Sequence, residues 1–595
     1  MMKAAPPPDI ASDIWALKYR LPGENSLAET LNRVAHAVAA AEKPELREVW
    51  EKRFNNLLAD LSFIPAGRIL AGAGAKRDVT LFNCFVMGTI ADSIPGIFDG
   101  LKEAAQTLQQ GGGIGHDFST LRPKGAAVIG VGADASGPLT FMDVWDAMCK
   151  TIMSAGARRG AMMATMRCDH PDIADFVDAK RDPRRLRNFN LSVLVSDAFM
   201  TAMGNNADWP LQFGGHVYKT IAARDLWMRI MQATYDYAEP GVIFIDRINR
   251  LNPLSYCEVI SATNPCGEQP LPPYGACLLG SLNLTRFVPE AFSPGATLDL
   301  TRLAEATKIA IRFLDNVVDV SNYPLAEQRK EAHDKRRLGL GVTGLADALL
   351  MVGLRYGEPE AVQATSLWLK TIKDAALEAS SDLAAEKGSF PLFEADAYLG
   401  TVYGGALDEA QRLAIRDKGL RNGLLTSIAP TGTISLLAGN VSSGIEPIFS
   451  LAYDRTILEA DGAKRVLRMQ DHAIALWRGK KSGASLPPNT VTAADLTPAQ
   501  HLAMQAAAQA HVDSSISKTI NVPADFPFAA FTSVYEEAYA MGLKGCTTFR
   551  PNAVTGSILS TPSSEDNACP SCGSLDLVMK EGCTSCQTCG FAFCG

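Results

Sequence analysis

"NPCGEQPL", residues Asn264–Leu271, sets a cysteine between a proline and a glycine, with an amide and a carboxylate at the alternate positions on either side. A second cysteine, Cys277, follows in "YGACLLGSLNL". Read as an extended segment, the stretch alternates its side chains, so Asn264, Cys266 and Glu268 are expected on one side. Pro265 removes a backbone donor, and Pro270, Pro272 and Pro273 stiffen the chain beyond the loop. The ordinary alternative is a buried cysteine in a structural turn. Burying Glu268 without a partner is costly, however. The expectation is a thiol, a carboxylate and an amide delivered into one small space.

The chain has 595 residues, 47% hydrophobic and 20% charged, enough for a large enzyme domain with appendages. Its formal net charge of −8, with no long basic run, argues against a general binder of nucleic-acid backbones. A local basic pocket for a nucleotide stays open. The N-terminus "MMKAAPPPDIASDIW" lacks the apolar core of a signal peptide. The longest uncharged run, 422–445, contains Pro430, Asn440 and many Gly, Ser and Thr residues, too polar for a membrane span. A cytoplasmic protein with no membrane partner is expected. Of 13 cysteines, seven are scattered from Cys84 to Cys546 and six crowd into Cys569–Gly595. In a reducing cytosol such thiols are catalytic, metal-binding or buried rather than permanently bridged.

Residues 1–60 read as a helical segment, with "SLAETLNRVAHAVAAAE" opening on Ser26 and Glu29 as a capping box. From 61 to 555, helical stretches such as "IPGIFDGLKEAAQTLQQ" alternate with β-like runs such as "LSVLVS" and "GVIFI", which favours an α/β architecture with a parallel sheet or barrel. "GSILSTPSSEDNA", residues 556–568, reads as a linker, and 569–595 is a cysteine-rich tail. The tail, "CPSCGSLDLVMKEGCTSCQTCGFAFCG", has the CxxC spacing of a tetrahedral thiolate site for zinc. Cys569 and Cys572 form one pair. The second is Cys583 with Cys586, or Cys586 with Cys589; the first choice leaves Cys589 and Cys594 as thiols able to exchange with other disulfides.

"QQGGGIGHDFSTLRP" (Gln109–Pro123) and "APTGTISLLAGN" (Ala429–Asn440) read as Gly-rich turns at helix boundaries. Gly113, Gly432 and the hydroxyls of Thr431, Thr433 and Ser435 could hold phosphate there, although neither stretch matches a full nucleotide fingerprint. "AGARRGAMMATM" places Arg158 and Arg159 between glycines, an anion-sensing loop or simply a solvated pair. His116 and His170 stand alone and read as hydrogen-bonded structural residues.

Taken together, "LFNCFVMG" around Cys84, "GGGIGHDFSTLRP", "NPCGEQPL" and "APTGTISLLAGNVSSGIEPIF" resemble the catalytic subunit of ribonucleotide reductases, in the class II, adenosylcobalamin-dependent form. The resemblance covers roughly residues 60–560 and implies a ten-stranded α/β barrel of two antiparallel five-stranded halves, with the 264–268 loop as a central finger. It implies a thiyl radical on Cys266, Glu268 as general base, Asn264 on the sugar hydroxyls, and Cys84 with Cys277 as the reducing dithiol. It further implies substrate phosphates on Thr431–Ser435, and a specificity loop at 155–163. Asp92 would contact a deoxynucleotide or ATP effector in a homodimer. The tail cysteines would carry electrons from a thioredoxin-like protein.

Within that family, partner-dependent members import their radical through an adjacent tyrosine pair, whereas the matching stretch here is "LKGCTTFRPN", Leu543–Asn552, and no Tyr-Tyr dipeptide occurs. The resemblance leans towards diphosphate substrates. The other readings are a class I-type subunit needing a radical-generating partner, and a zinc-ribbon protein binding nucleic acid.

Overall fold

In the computed structural model, which describes residues 10–128, 132–152, 160–182, 184–458, 464–481, 483–551, 577–580, 583–586 and 592–594, three helices precede the first strand. They are α1 (Ile10–Lys18), α2 (Leu27–Ala39) and α3 (Arg47–Ala59). Ser26 caps α2, its Oγ accepting from Glu29 N at 3.3 Å. The Glu29 carboxylate accepts instead from Asn25 N, at 2.8 Å, so only half of the expected capping box forms. The buried face of α2, including Leu31, Val34 and Val38, packs on α3 and on the long helix Leu300–Val320. Arg312 on that helix pairs with Glu42 and Glu386 through four bonds of 2.6–2.7 Å, tying the helical segment to the body. Removing one member of such a buried cluster costs about 3–5 kcal/mol, because the partner charges stay buried.

The main sheet begins after β1 (Phe63–Pro65). Strands β2 (Cys84–Val86), β3 (Gly113–Asp117), β4 (Met162–Arg167), β5 (Phe189–Val195) and β6 (Gly241–Phe244) run parallel in that order. The runs read as strands, "LSVLVS" and "GVIFI", are β5 and β6, and helix Ile94–Gln109 precedes β3. A hairpin of β7 (Ala262–Thr263) and β8 (Pro270–Leu271) comes next, then β9 (Ala276–Cys277), β10 (Leu279–Asn283) and β11 (Gly339–Thr343). Near the C-terminus come β12 (Thr519–Asn521) and β13 (Gly545–Phe549). The eight-stranded sheet has the order β9-β2-β3-β4-β5-β6-β13-β12, antiparallel where β9 meets β2 and where β6 meets β13. A three-stranded sheet, β1-β10-β11, stands apart from it.

The fold is therefore mixed α/β with one large sheet, but the expected closed ring of ten strands is not present as a continuous ladder among the described residues. Between the two sheets runs the stretch 424–428, joined to β11 by the bridge Leu340–Thr426 and to the segment before β12 by Ile428–Ile516. Its Leu425 and Thr426 N–H groups donate to the Asp513 carboxylate at 2.7 and 2.9 Å, which replaces ladder bonds by a side-chain clamp. The Gly-rich stretch at 109–123 also differs from expectation: Gly111 turns at φ +90°, but Gly113–Asp117 is strand β3. Among the described residues no helix is long and apolar enough to cross a membrane.

Candidate active site

The loop 264–269 closes the hairpin of β7 and β8, whose partners are Ala262–Leu271 and Thr263–Pro270. It is a tight turn, not the extended segment whose alternation was expected. Gly267 N donates to Asn264 O at 3.1 Å and Gly267 adopts φ +79°, a conformation that glycine takes without strain. Asn264 folds the base: its N donates to Gln269 O at 3.2 Å, and its Oδ1 accepts from Gln269 N at 3.0 Å. The result separates the three groups by depth. Cys266 is exposed at the tip, while Asn264 and Glu268 are buried beneath it.

Two glycines of β3 make room for this hairpin. A Cβ on Gly113 would lie 3.0 Å from Cys84 Sγ and 3.2 Å from Pro265 Cγ. A Cβ on Gly115 would collide with the Thr263 carbonyl. Residues i and i+2 share one face of a strand, so the glycines form a groove along β3. The same contacts bring Cys84 beside the loop. Cys84 pairs with Gly113 on one side of β2 and with Cys277 on the other, directly opposite in the antiparallel ladder.

Burial pushes the Glu268 carboxyl up to about 7, with the Asn264 side chain pulling the other way. Glu268 Oε2 and both Gln269 amide atoms have no hydrogen-bond partner among the described residues. Buried polar atoms without partners are rare in proteins, and a cluster of them points to an absent polar ligand. The carboxyl is thus poised near neutrality, where a general base works best.

Cys266 opens on a cleft of about 300 Å³ lined also by Asn190, Ser192, Glu239, Lys518, Lys544 and Cys546. None of these was singled out from the sequence, because each is a solitary polar residue in a strand or loop with no motif spacing. Asn190 Nδ2 donates to Pro265 O at 2.8 Å. The Glu268 carbonyl accepts from Ser427 Oγ at 2.8 Å, Ser514 Oγ at 3.2 Å and Ser515 N at 3.0 Å. The loop 264–269 is therefore held from both sides.

The remaining sequence-derived residues are distributed more widely. Thr431 and Ser435 are buried; Gly444 N donates to Thr431 Oγ1 at 2.8 Å, and the Ser435 and Ser443 hydroxyls are 3.2 Å apart. Gly432 is exposed and Thr433 half-buried, and the helix after them, Ile434–Leu437, is short. Asp92 is held by Arg122, whose Nε donates to Oδ2 at 2.8 Å. Arg158 and Arg159 lie outside the described residues, and Met162 and Met163, at the end of the expected loop, belong to β4. His116 and His170 are structural: Trp145 Nε1 donates to His116 Nε2 at 3.1 Å, and Asp172 N donates to His170 Nδ1 at 3.1 Å. In the tail, Cys569, Cys572 and Cys589 lie outside the described residues. Cys583 and Cys586 begin and end one strand of a three-stranded sheet, and Cys594 pairs with Cys583 across it.

A finger hairpin carrying an exposed thiol above a buried carboxyl, with two opposed cysteines beside it, meets a direct match in sequence. The description "Ribonucleotide reductase, barrel domain" fits residues 82–549, and "Ribonucleotide reductase, all-alpha domain" fits 9–78. The chain belongs to the ribonucleotide reductase family. It is an enzyme of ribonucleotide reduction, similar to a vitamin B12-dependent ribonucleoside-diphosphate reductase of Mycobacterium tuberculosis, 38% identical over 95% of this chain and 81% of the relative. A protein of the same description from Thermoplasma acidophilum is 36% identical over 86% of this chain and 66% of its own length. The large subunit of a ribonucleoside-diphosphate reductase from Caenorhabditis elegans is more distant, 29% identical over 68% of this chain and 56% of the relative.

Proposed function

We propose that this reductase acts on ribonucleoside diphosphates and takes its radical from adenosylcobalamin. The observation that carries the proposal is the exposure of Cys266 on an open cleft, directly above a buried acid held near neutrality. Pockets for small ligands begin at about 300 Å³, so the cleft admits a nucleoside-sized group beside the sulfur. Asn190, Ser192 and Glu239 line the cleft and offer polar contacts to such a group. Adenosylcobalamin, when bound, supplies a carbon-centred radical able to remove hydrogen from a thiol. The B12-dependent character of the Mycobacterium and Thermoplasma relatives supports the same reading.

The chain's own residues then divide the reaction. The Cys266 radical removes the 3′ hydrogen of the ribose, and Glu268 takes the proton of the 3′ hydroxyl. Asn264 Nδ2 donates to the sugar hydroxyls. The 2′ hydroxyl leaves as water; Cys84 and Cys277 give two electrons and two hydrogens and become a disulfide. Glu268 gives its proton back to the 3′ oxygen, and Cys266 returns the 3′ hydrogen and is left as the radical again. The sum is ribonucleotide plus dithiol giving deoxyribonucleotide, disulfide and water.

Gly113 and the turn Thr431, Gly432, Thr433 and Ser435 cradle the substrate, with the accessible Gly432 and Thr433 nearest solvent. Asp92, Arg158 and Arg159 answer to a deoxynucleotide or ATP effector in a cytoplasmic homodimer. In this reading ten strands, drawn from the two sheets and the stretch 424–428, form a barrel of two antiparallel five-stranded halves. The tail binds zinc through Cys569, Cys572, Cys583 and Cys586, and Cys589 with Cys594 passes electrons from a thioredoxin-like protein.

The test is to assay the purified chain alone, with dithiothreitol and a ribonucleoside diphosphate, with and without adenosylcobalamin. Deoxynucleotide formation only in its presence is expected. Activity without cobalamin, or only with a second subunit, would refute the cofactor assignment.

A further inference from the structure

Lys544 opens strand β13 from the residue before it and is buried, 4% exposed, in the wall of the Cys266 cleft. Its ammonium donates to the carbonyls of Asp513 and Ser514, each at 2.6 Å. Those two residues are not incidental. The Asp513 carboxylate holds the Leu425 and Thr426 N–H groups, and Ser514 Oγ and Ser515 N both donate to the carbonyl of Glu268. Ser427, next to the clamped Leu425–Thr426 pair, donates to the same carbonyl. Every bond from this half of the molecule to the Glu268 carbonyl therefore starts from a segment that Lys544 or Asp513 anchors. Lys544 is itself fixed, since Phe244 N donates to its carbonyl at 3.0 Å across the seam between β6 and β13.

A buried ammonium is expensive to desolvate and is kept where charge-assisted bonds offset the cost. Two short bonds to adjacent carbonyls are such bonds, and they fix a segment that donates two hydrogen bonds to the Glu268 carbonyl. We propose that Lys544 is a positioning residue for ribonucleotide reduction, clasping 513–514 so that Ser514 and Ser515 hold Glu268, and with it Cys266, in working register. The inference rests on the thiyl-and-base assignment made under the proposed function. A displacement of about 1 Å at reacting groups costs up to roughly 10²-fold in rate without changing the groups themselves.

The test is a double-mutant cycle of Lys544→Met and Ser514→Ala on the full-length chain, with cobalamin and dithiothreitol. Lys544→Met is expected to lower kcat about 30-fold with KM changed less than about twofold, and Ser514→Ala about fivefold. Because both act through one path, the double variant should be no worse than Lys544→Met alone. Lys544→Ala should recover part of its kcat with added methylammonium, which a simple packing loss would not. The rate at which iodoacetamide alkylates Cys266, read by peptide mass mapping without cofactor, should change in Lys544→Met. Multiplying effects in the cycle, or wild-type kcat in Lys544→Met, would overturn the proposal. If Lys544→Met does not fold, a wild-type kcat and alkylation rate in Ser514→Ala would overturn it equally. Cys266→Ala, run in parallel, separates the two levels: activity there refutes the radical assignment itself, whereas an inactive Cys266→Ala beside a fully active Lys544→Met refutes only the role of Lys544.

Discussion

Asn190 donates its side-chain amide to the carbonyl of Pro265 at 2.8 Å, so a residue of the parallel half of the sheet grips the tip of the finger hairpin. Asn190 is exposed and the bond is single, so its contribution to stability is small, about 0.5–1.5 kcal/mol. Its contribution to geometry is larger, because Pro265 immediately precedes the thiol. Asn190→Ala is expected to shift Tm by no more than about 2 °C and to lower kcat about tenfold, with KM nearly unchanged. Thermal melts and steady-state kinetics on one preparation check both halves of the statement.

Glu268 sets function against stability. Its folded carboxyl is raised by burial to about 7, above the ordinary carboxylate value of 4.5. A group raised on folding contributes its stability below the unfolded value and loses it as pH rises through the folded one. The loss therefore runs between about pH 4.5 and 7, and amounts to at most about 3 kcal/mol. Glu268→Gln should unfold at a higher temperature than the wild type at pH 8, the difference vanishing near pH 4. Its kcat should fall by about 10²–10⁴. In the wild type kcat/KM should rise with pH through about 7, as the base deprotonates. A melting difference that persists at pH 4 would refute the linkage.

Sequence patterning made the helical N-terminal segment, the α/β alternation and the gathering of Asn264, Cys266 and Glu268 in one loop legible, because periodicity and short motifs are local. It misjudged how those three residues meet. Alternation placed them on one side of a strand, whereas the Asn264–Gly267 turn puts Cys266 above the other two. The stretch around Gly113 and Gly115 reads as a turn, but it is strand β3, and the close approach of Pro265 and Thr263 to the two glycines seats the hairpin there. Asn190, Ser514 and Lys544 left no trace, since each acts on a backbone carbonyl far away in sequence. The single bridges at 424–428 were equally hidden, because Asp513 intercepts the ladder with a side chain.

Cys84 and Cys277 face each other on β2 and β9. Opposed residues of an antiparallel pair have Cα atoms about 4.5–5.5 Å apart, inside the 4.4–6.8 Å or so that a disulfide spans. One turnover without external reductant should join them, and peptide mass mapping should find the Cys84–Cys277 cross-link in proportion to deoxynucleotide formed. Cys84→Ser should abolish multiple turnover while leaving Tm within a few degrees. A cross-link of Cys84 to any other cysteine would defeat the pairing.

Gly115 offers the sharpest test of how the hairpin seats. Its neighbour across the groove is the Thr263 carbonyl, backbone rather than a side chain able to swing away. Adding one methyl group therefore forces β3 and β7 apart, an overpacking that costs typically about 1–3 kcal/mol. The displacement passes straight to the loop, because Thr263 precedes Asn264 and its Oγ1 donates to the Asn264 carbonyl at 3.0 Å. Gly115→Ala should lower Tm by several degrees and kcat by at least about 10², and it should do so more severely than Gly204→Ala, where a Cβ meets nothing within 4 Å. Equal effects at the two glycines would mean that helix and strand propensity, not the fit of the hairpin to β3, govern the result.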